Sequence, residues 1–547
     1  MTRVSFLAAI LVFPVTAQIR FEDVTDKAGI DFTLRNAAAG RFRQVELMTG
    51  GVAALDFDAD GCMDIFFVNG AALPSLRKTG PEFYNRLYQS NCDGTFADVT
   101  AKAGVAGEGY SMGVAAADFD NDGFTDLYVT GVNRNFLYRN RGDGSFEDAT
   151  EKAGVTAVHP KLGKIWSMSP VWVDVDNDGH LDLFVANYLA WDPRTESRCG
   201  TPEHGLYCHP DNYRGLPNQL FRNKGDGTFV DVTESSGIGA HIGKGMGAAV
   251  ADFDSDGYQD IYVANDSMRA FLFRNRGDGR FEEVGIEASV AFRDDGSSIA
   301  GMGVDFRDLN NDGHPDLVVT GMINDTYLLF RNTGGKMLFE DLGVSSGLAV
   351  ATRQLTGWAA GIFDFDNDGW KDLFFANSHF PQLNRYLGTD SELANKVFRN
   401  PGKRRLIDVS AGAGDGFQRK AQYRGAAFAD FDNDGRIDVV VSALNAPARL
   451  FRNVTGGGES WLAVRLRGSK SNRDGIGAVL RLTLSDGRTL TNHCTTSVGY
   501  ASSSERIVRF GLGSARPVKL EIRWPSGALQ TVQDVKANRI QEVTEPR

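Results

Sequence analysis

The sequence predicts an all-β chain: a seven-bladed β-propeller whose last blade is closed by an N-terminal strand, followed by a small C-terminal β domain. Three observations predict it. The nine-residue pattern Asp-x-Asp-x-Asp-Gly-x-x-Asp recurs seven times, beginning at Asp56, Asp118, Asp174, Asp252, Asp308, Asp364 and Asp430, with only the fifth departing by Asn310 at its third position. The starts recur at intervals of 56 to 78 residues, a period that marks a repeat architecture. The last unit lacks its fourth strand, and a matching strand stands alone near the N-terminus.

Each unit has the same parts in the same order. An apolar, Gly-containing run such as Ser111-Met-Gly-Val-Ala-Ala-Ala117 leads into the acidic loop, and a β-branched and aromatic run such as Asp126-Leu-Tyr-Val-Thr130 leaves it. A Leu-Phe/Tyr-Arg-Asn strand follows (Leu137 to Asn140, Leu220 to Asn223, Leu272 to Asn275), then a Gly-Asp-Gly turn and a short strand of the type Phe146-Glu-Asp-Ala-Thr150. Four hairpin-linked strands make one blade. The seventh unit stops after Leu450-Phe-Arg-Asn453, whereas Phe21-Glu-Asp-Val-Thr25 has the fourth-strand pattern with no loop before it. Pairing the two covers an open sheet edge and locks the ring.

The loops carry the chemistry. Positions 1, 3, 5 and 9 gather side-chain oxygens: Asp56, Asp58, Asp60 and Asp64; Asp118, Asp120, Asp122 and Asp126; Asp174, Asp176, Asp178 and Asp182; Asp252, Asp254, Asp256 and Asp260; Asp308, Asn310, Asp312 and Asp316; Asp364, Asp366, Asp368 and Asp372; Asp430, Asp432, Asp434 and Asp438. Carboxylates so close repel unless a cation lies among them, and hard oxygen donors without His or Cys select Ca²⁺, up to seven ions here. Position 7 can lend a backbone carbonyl: Cys62, Phe124, His180, Tyr258, His314, Trp370 and Arg436. An EF-hand is excluded, because its position 12 is a glutamate leading into a helix, and here it is Phe67, Val129, Val185, Val263, Val319, Phe375 or Val441.

These repeats resemble FG-GAP/VCBS repeats, the type that builds the integrin alpha-chain propeller. After a Gly-rich linker, a small all-β region resembles the ASPIC and UnbV domain through Asn472-Arg-Asp-Gly-Ile-Gly-Ala478, Gly499-Tyr500, Phe510-Gly-Leu-Gly513 and Trp524-Pro-Ser-Gly527. Together the two parts resemble the cartilage acidic protein family, a resemblance that implies architecture and metal but no defined activity. The expected partition is 1–17 signal peptide, 18–453 propeller, 454–460 linker and 461–547 C-terminal domain.

Residues 1–17 have the charged, apolar and small-residue regions of a secretory signal cleaved after Ala17, which implies an extracellular or periplasmic protein; a retained membrane anchor is the alternative. No other stretch has the apolar length of a membrane helix. Cys62 and Cys92 fall at one end of one sheet, and Cys199 and Cys208 bracket an insertion, so each pair suits a disulfide; Cys494 is left over as a buried thiol. The formal net charge of −12 needs no basic partner, since 27 of the 70 acidic residues are the loop aspartates, and no basic patch supports nucleic-acid binding.

Function is expected on the face opposite the acidic loops, where the long insertions fall. They carry Trp166, Tyr188, Trp191, His204, His209, His379 and Arg424, with Arg385 and Tyr386 nearby: residue types that binding surfaces use, and equally types that pack over the mouth of a channel. The expected function is a secreted binding or adhesion module for an extracellular protein or glycan. The alternative is an extracellular enzyme at the channel mouth, with His204, His209, Asp294 or Asp295 as acid-base groups. Gly109-Tyr-Ser-Met-Gly113 matches a nucleophile-elbow string, but Ser111 opens a repeat strand rather than a strand-to-helix turn.

Overall fold

The computed structural model describes residues 18–201, 204–334, 337–382, 388–457 and 460–547. The expected signal segment, 1–17, lies outside them, as do Arg385 and Tyr386. The second unit shows how each repeat folds: Ser111–Ala117, Asp126–Gly131, Phe136–Asn140 and Phe146–Asp148 form an antiparallel four-stranded sheet in chain order. Among the described residues seven such sheets occur, and their first strands are Val52–Leu55, Ser111–Ala117, Ser167–Val173, Gly245–Ala251, Val304–Arg307, Gly357–Phe363 and Tyr423–Ala429. Each first strand packs against the first strands of its two neighbours, and the seventh packs against the first. The arrangement is all-β and propeller-like.

In the seventh sheet, Phe21–Asp23 pairs antiparallel with Arg449–Asn453, placing Phe21 opposite Asn453. A hydroxyl confirms the equivalence. Thr100, Thr150 and Thr233, just after the fourth strands, accept the N–H of Leu87, Leu137 and Leu220 through Oγ1, and Thr25 does the same for Leu450 at 2.9 Å.

Sheets are joined edge to face by an amide in the third-strand motif. Asn140 Nδ2 donates to the Phe57 carbonyl of the preceding sheet at 2.7 Å, and Asn223, Asn275, Asn332, Asn400 and Asn453 repeat the contact to Phe119, Val175, Phe253, Leu309 and Phe365. These buried polar contacts fix how each apolar sheet face meets the next.

The C-terminal residues do two things. Ser460–Arg467, Val508–Gly513 and Ile540–Thr544 form one sheet, and Val479–Leu484, Thr489–His493, Pro517–Arg523 and Leu529–Val532 a second, with Leu466, Leu480, Ile522 and Trp524 buried between them. Between these strands, the hairpin Ser497–Val498 and Ser502–Ser503 inserts among the seven first strands. Inner strand edges carry unpaired N–H and C=O groups, and this Ser/Thr-rich segment meets them. Ser502, Ser503 and Ser504 accept from Val52, Ala116 and Phe428; Ser497 donates to Ala248; the Val114 N–H reaches the Ala501 carbonyl; Gly499 pairs with Val304. Ser169 accepts from Ala501, and Tyr500 packs edge-on to Trp358 with ring centroids 5.2 Å apart. All seven first strands are therefore touched. The Gly-rich stretch is tied down at its start, where Thr455 is buried and accepts the Arg20 N–H.

Candidate metal centres

Every acidic loop is built by the same backbone bonds. The carboxylate at position 1 accepts the glycine N–H of position 6 at 2.8 to 3.1 Å, in all seven loops. The carboxylate at position 5 accepts the N–H of position 7, so the backbone of Cys62, Phe124, His180, Tyr258, His314, Trp370 and Arg436 orders a side chain of its own loop. Position 9 joins loop to sheet: Asp126 accepts from Phe119 N–H at 3.1 Å and from Asn140 N–H at 2.7 Å, and the other six ninth aspartates repeat the pattern.

Glycine is required at position 6, where φ runs from +89° to +102°. Space requires it too. A Cβ on Gly123, Gly179, Gly313, Gly369 or Gly435 would collide with Arg473, the Lys470 carbonyl, Arg481, Arg488 or Trp461, all from the C-terminal region; Gly61 and Gly257 face Arg465 and Arg523. The C-terminal domain thus lies on the acidic face and reaches all seven loops.

The side-chain oxygens converge. In at least four loops, three carboxylates have oxygens within 4.8 Å of one another: Asp56, Asp58 and Asp64; Asp118, Asp120 and Asp122; Asp174, Asp176 and Asp182; Asp252, Asp254 and Asp260. Across the seven loops, six buried oxygens have no hydrogen-bond donor, namely Oδ1 of Asp56, Asp252 and Asp308 at position 1 and of Asp176, Asp366 and Asp432 at position 3. An acceptor buried without a donor is costly. A hard cation taking six to eight oxygens would satisfy it, so the donor set fits Ca²⁺. Burial, and then the neighbouring carboxylates, pushes Asp118 up to about 8 and Asp174 up to about 7; burial pushes Asp64 up to about 8.

The recurrent third-strand arginines bind their own loops. Arg274 and Arg399 reach Asp254 and Asp366 at position 3, each at 2.6 Å, and Arg139, Arg222 and Arg452 approach Asp120, Asp176 and Asp432. Loop five is the exception. Its position 3 is Asn310, and Arg331 turns instead to Glu340.

Two sets of residues escaped sequence reasoning. Position 4 is left-handed in every loop, with φ from +55° to +62°, and Asn121, Asn177, Asn311 and Asn367 there donate to the glycine carbonyl of the next loop. Its signal is the recurrent Asn after the second Asp. Position 7 side chains lie against the first glycine of the third-to-fourth strand turn: Phe124 on Gly142, His180 on Gly225, Tyr258 on Gly277, His314 on Gly334 and Trp370 on Gly402.

The expected ligand face needs correction. Trp166, Tyr188, Trp191, His379 and Arg424 are buried; His204 and His209 are exposed. Trp166 packs edge-on to Tyr188 and Trp191, Tyr188 donates to Asp266 at 2.6 Å, and His379 Nδ1 hydrogen-bonds Thr356. Arg424 lies 3.8 Å over the Trp358 ring and donates to the Leu47 carbonyl. The insertions turn Trp166, Tyr188, Trp191 and His379 inward, and Arg424 is buried on the first strand Tyr423–Ala429 itself. Asp294 and Asp295 are exposed. Ser111 begins a strand and its Oγ is buried without a partner.

Disulfides join Cys62 to Cys92 and Cys199 to Cys208, and Cys494 is a buried free thiol. Among the described residues no helix is long and apolar enough to cross a membrane.

Comparison with known proteins agrees with this construction. The family model described as FG-GAP-like repeat matches residues 56–129, 118–185, 206–263, 252–319, 308–375 and 364–441, and that described as ASPIC and UnbV matches 468–547. Cartilage acidic protein 1 from Homo sapiens is 27% identical over 523 residues, 91% of this chain and 72% of the relative. The Mus musculus protein of that name is 27% identical over the same length, covering 91% and 74%. A solved lectin from Agrocybe aegerita, described as recognising non-reducing terminal N-acetylglucosamine, is 19% identical with a TM-score of 0.38, covering 67% of this chain and 83% of the lectin; a likeness that low carries no argument.

Proposed function

The chain belongs to the FG-GAP-like repeat family, and on that premise we propose that it is a closed, seven-bladed β-propeller holding up to seven Ca²⁺ ions, secreted, and acting as a binding or adhesion module through the face opposite the metal loops. The observation that carries the metal reading is the set of six buried carboxylate oxygens without a donor. Bound calcium would neutralise the clustered carboxylates. The chain's own groups hold the site ready: position 6 N–H and the C-terminal arginines orient the first carboxylate, third-strand arginines the third, and position 7 N–H the fifth, leaving the position 7 carbonyl as a further ligand. Two disulfides support an oxidising compartment.

The binding role follows from what each face leaves open. The C-terminal domain occupies the metal face, so the other face is the one a large partner, an extracellular protein or glycan, can reach. His204, His209, Val158, Leu162 and Ile242 are exposed in its loops. The enzyme alternative has less support, because the space among the first strands is filled by the hairpin and by Arg424.

Elemental analysis of dialysed protein and calorimetric melting with and without chelator test the metal. Binding only the folded state stabilises by about 2.7 kcal/mol per site at a hundredfold excess over Kd. Chelation is expected to lower Tm by about 10 °C or more. An unchanged Tm with no bound alkaline-earth metal would sink the reading. A glycan and secreted-protein screen separates the two functions: saturable binding without product supports the module, and turnover supports the enzyme.

A further inference from the structure

The C-terminal domain meets the acidic loops unevenly, with an arginine on the first carboxylate in three of the seven. At loops two, four and seven an arginine reaches the first carboxylate: Arg473 to Asp118 at 3.7 Å, Arg523 to Asp252 at 2.6 Å and Arg509 to Asp430 at 3.0 Å. At loop five the corresponding group is Arg481. It lies against Gly313, is exposed, and among the described residues makes no ion pair within 4 Å. Beside it a cavity of about 460 Å³ opens between loops four and five and the strands Val479–Leu484, Thr489–His493 and Pro517–Arg523. That volume is in the range of small-ligand pockets, roughly 300–1,000 Å³.

Three buried acceptors on the cavity wall have no donor: Asp252 Oδ1, Asp308 Oδ1 and His493 Nε2. The metal reading accounts for the two aspartates. It does not account for the histidine. His493 is 6% exposed, burial holds its ring neutral, and its Nε2 is buried without a hydrogen-bond partner. Nearby, Lys371 Nζ ties loop five to the C-terminal strand by donating to the Asp308 and Thr491 carbonyls at 2.7 and 2.8 Å, so the wall is fixed rather than loose. Thr491, Gln530 and Thr531 add hydroxyl and amide groups. The unanswered chemistry is therefore one guanidinium without an ion pair and one buried ring nitrogen without a partner, in a polar-walled cavity that Glu521, opposite Arg481 in register, also lines.

We propose that this interdomain cavity binds an acidic sugar, with a carboxylate or sulfate on Arg481 and a hydroxyl donated to His493 Nε2. The proposal rests on the metal reading in one respect: loaded loops four and five offset the charge of Asp252 and Asp308, which would otherwise repel an acid. Calorimetric titration of the full chain in saturating calcium tests it, with digalacturonate, a hyaluronan disaccharide and a chondroitin sulfate disaccharide as probes and neutral cellobiose as comparator. The expected result is saturable binding of at least one acidic probe, none of cellobiose, and a loss of roughly tenfold or more in Arg481→Gln, as removing a charged hydrogen bond gives. Arg481→Gln should keep the calcium-dependent rise in Tm. Calcium binding by the wild type without binding of any acidic probe overturns the proposal alone, as does affinity unchanged by Arg481→Gln or equal for cellobiose. Failure of the wild type to bind calcium overturns the metal reading instead.

Discussion

The two faces of the repeat array use the same residue types in opposite ways. On the metal face, aspartates recur in register, each held by backbone N–H groups of its own loop, and their unsatisfied oxygens point to a ligand that is not protein. On the opposite face, aromatic and charged groups from insertions and strands pack on one another, Trp166 with Trp191, Tyr188 with Asp266 and Arg424 with Trp358, even where Trp166 Nε1 and Arg424 Nη2 have no hydrogen-bond partner. Repetition left the first face with carboxylate oxygens that no donor of the chain satisfies. Irregular loops made the second face part of the core.

The sharpest way to break that contrast is to truncate an inward-facing aromatic. Trp166→Ala is expected to cost about 3–5 kcal/mol, the range for a large buried side chain, and chemical denaturation measures it. A cost near zero would return Trp166 to the binding surface.

A smaller effect distinguishes the metal face by its pH dependence. Asp64 and Asp118 titrate in the folded chain at about 8 and Asp174 at about 7, above the carboxylate range of the unfolded chain. The folded state therefore binds more protons between those values. Metal-free protein should be most stable near pH 4 and lose stability as pH rises toward 8 on account of these groups. Calcium must displace the same protons, so the calcium-induced rise in Tm should shrink from pH 8 to pH 5. Melting curves at both pH values, with and without chelator, read both trends. A calcium effect that grows on acidification would contradict the assignment.

The smallest expected effect is on the exposed loops. His209→Ala, at a solvated position whose salt bridge is to the exposed Asp211, should change stability by no more than about 0.5 kcal/mol, while capture of a partner through that face should fall. A Tm drop of several degrees would mean that this loop, too, is core.

What the sequence disclosed follows the same division. The acidic loops, the strand order and the displaced Phe21–Asp23 were legible because each rests on local periodicity repeated seven times. Position 6 glycine was legible as a turn residue, yet its second cause, such as the close approach of Arg473 to Gly123, is a contact over hundreds of residues with no local signature. The Ser/Thr run at 495–504 was equally opaque. Its hydroxyls matter only because seven strand edges surround them. Trp166 and Arg424 were misplaced for the reason that an aromatic or arginine has the same identity whether it faces water or a neighbour.

The inserted hairpin sets the timetable of biogenesis. Residues 497–503 emerge from the ribosome after all seven repeats, and Phe21–Asp23 must wait for Arg449–Asn453 before it has anything to pair with. The barrel-shaped assembly can therefore be sealed only when synthesis is almost finished, and early repeats must persist meanwhile with exposed edges.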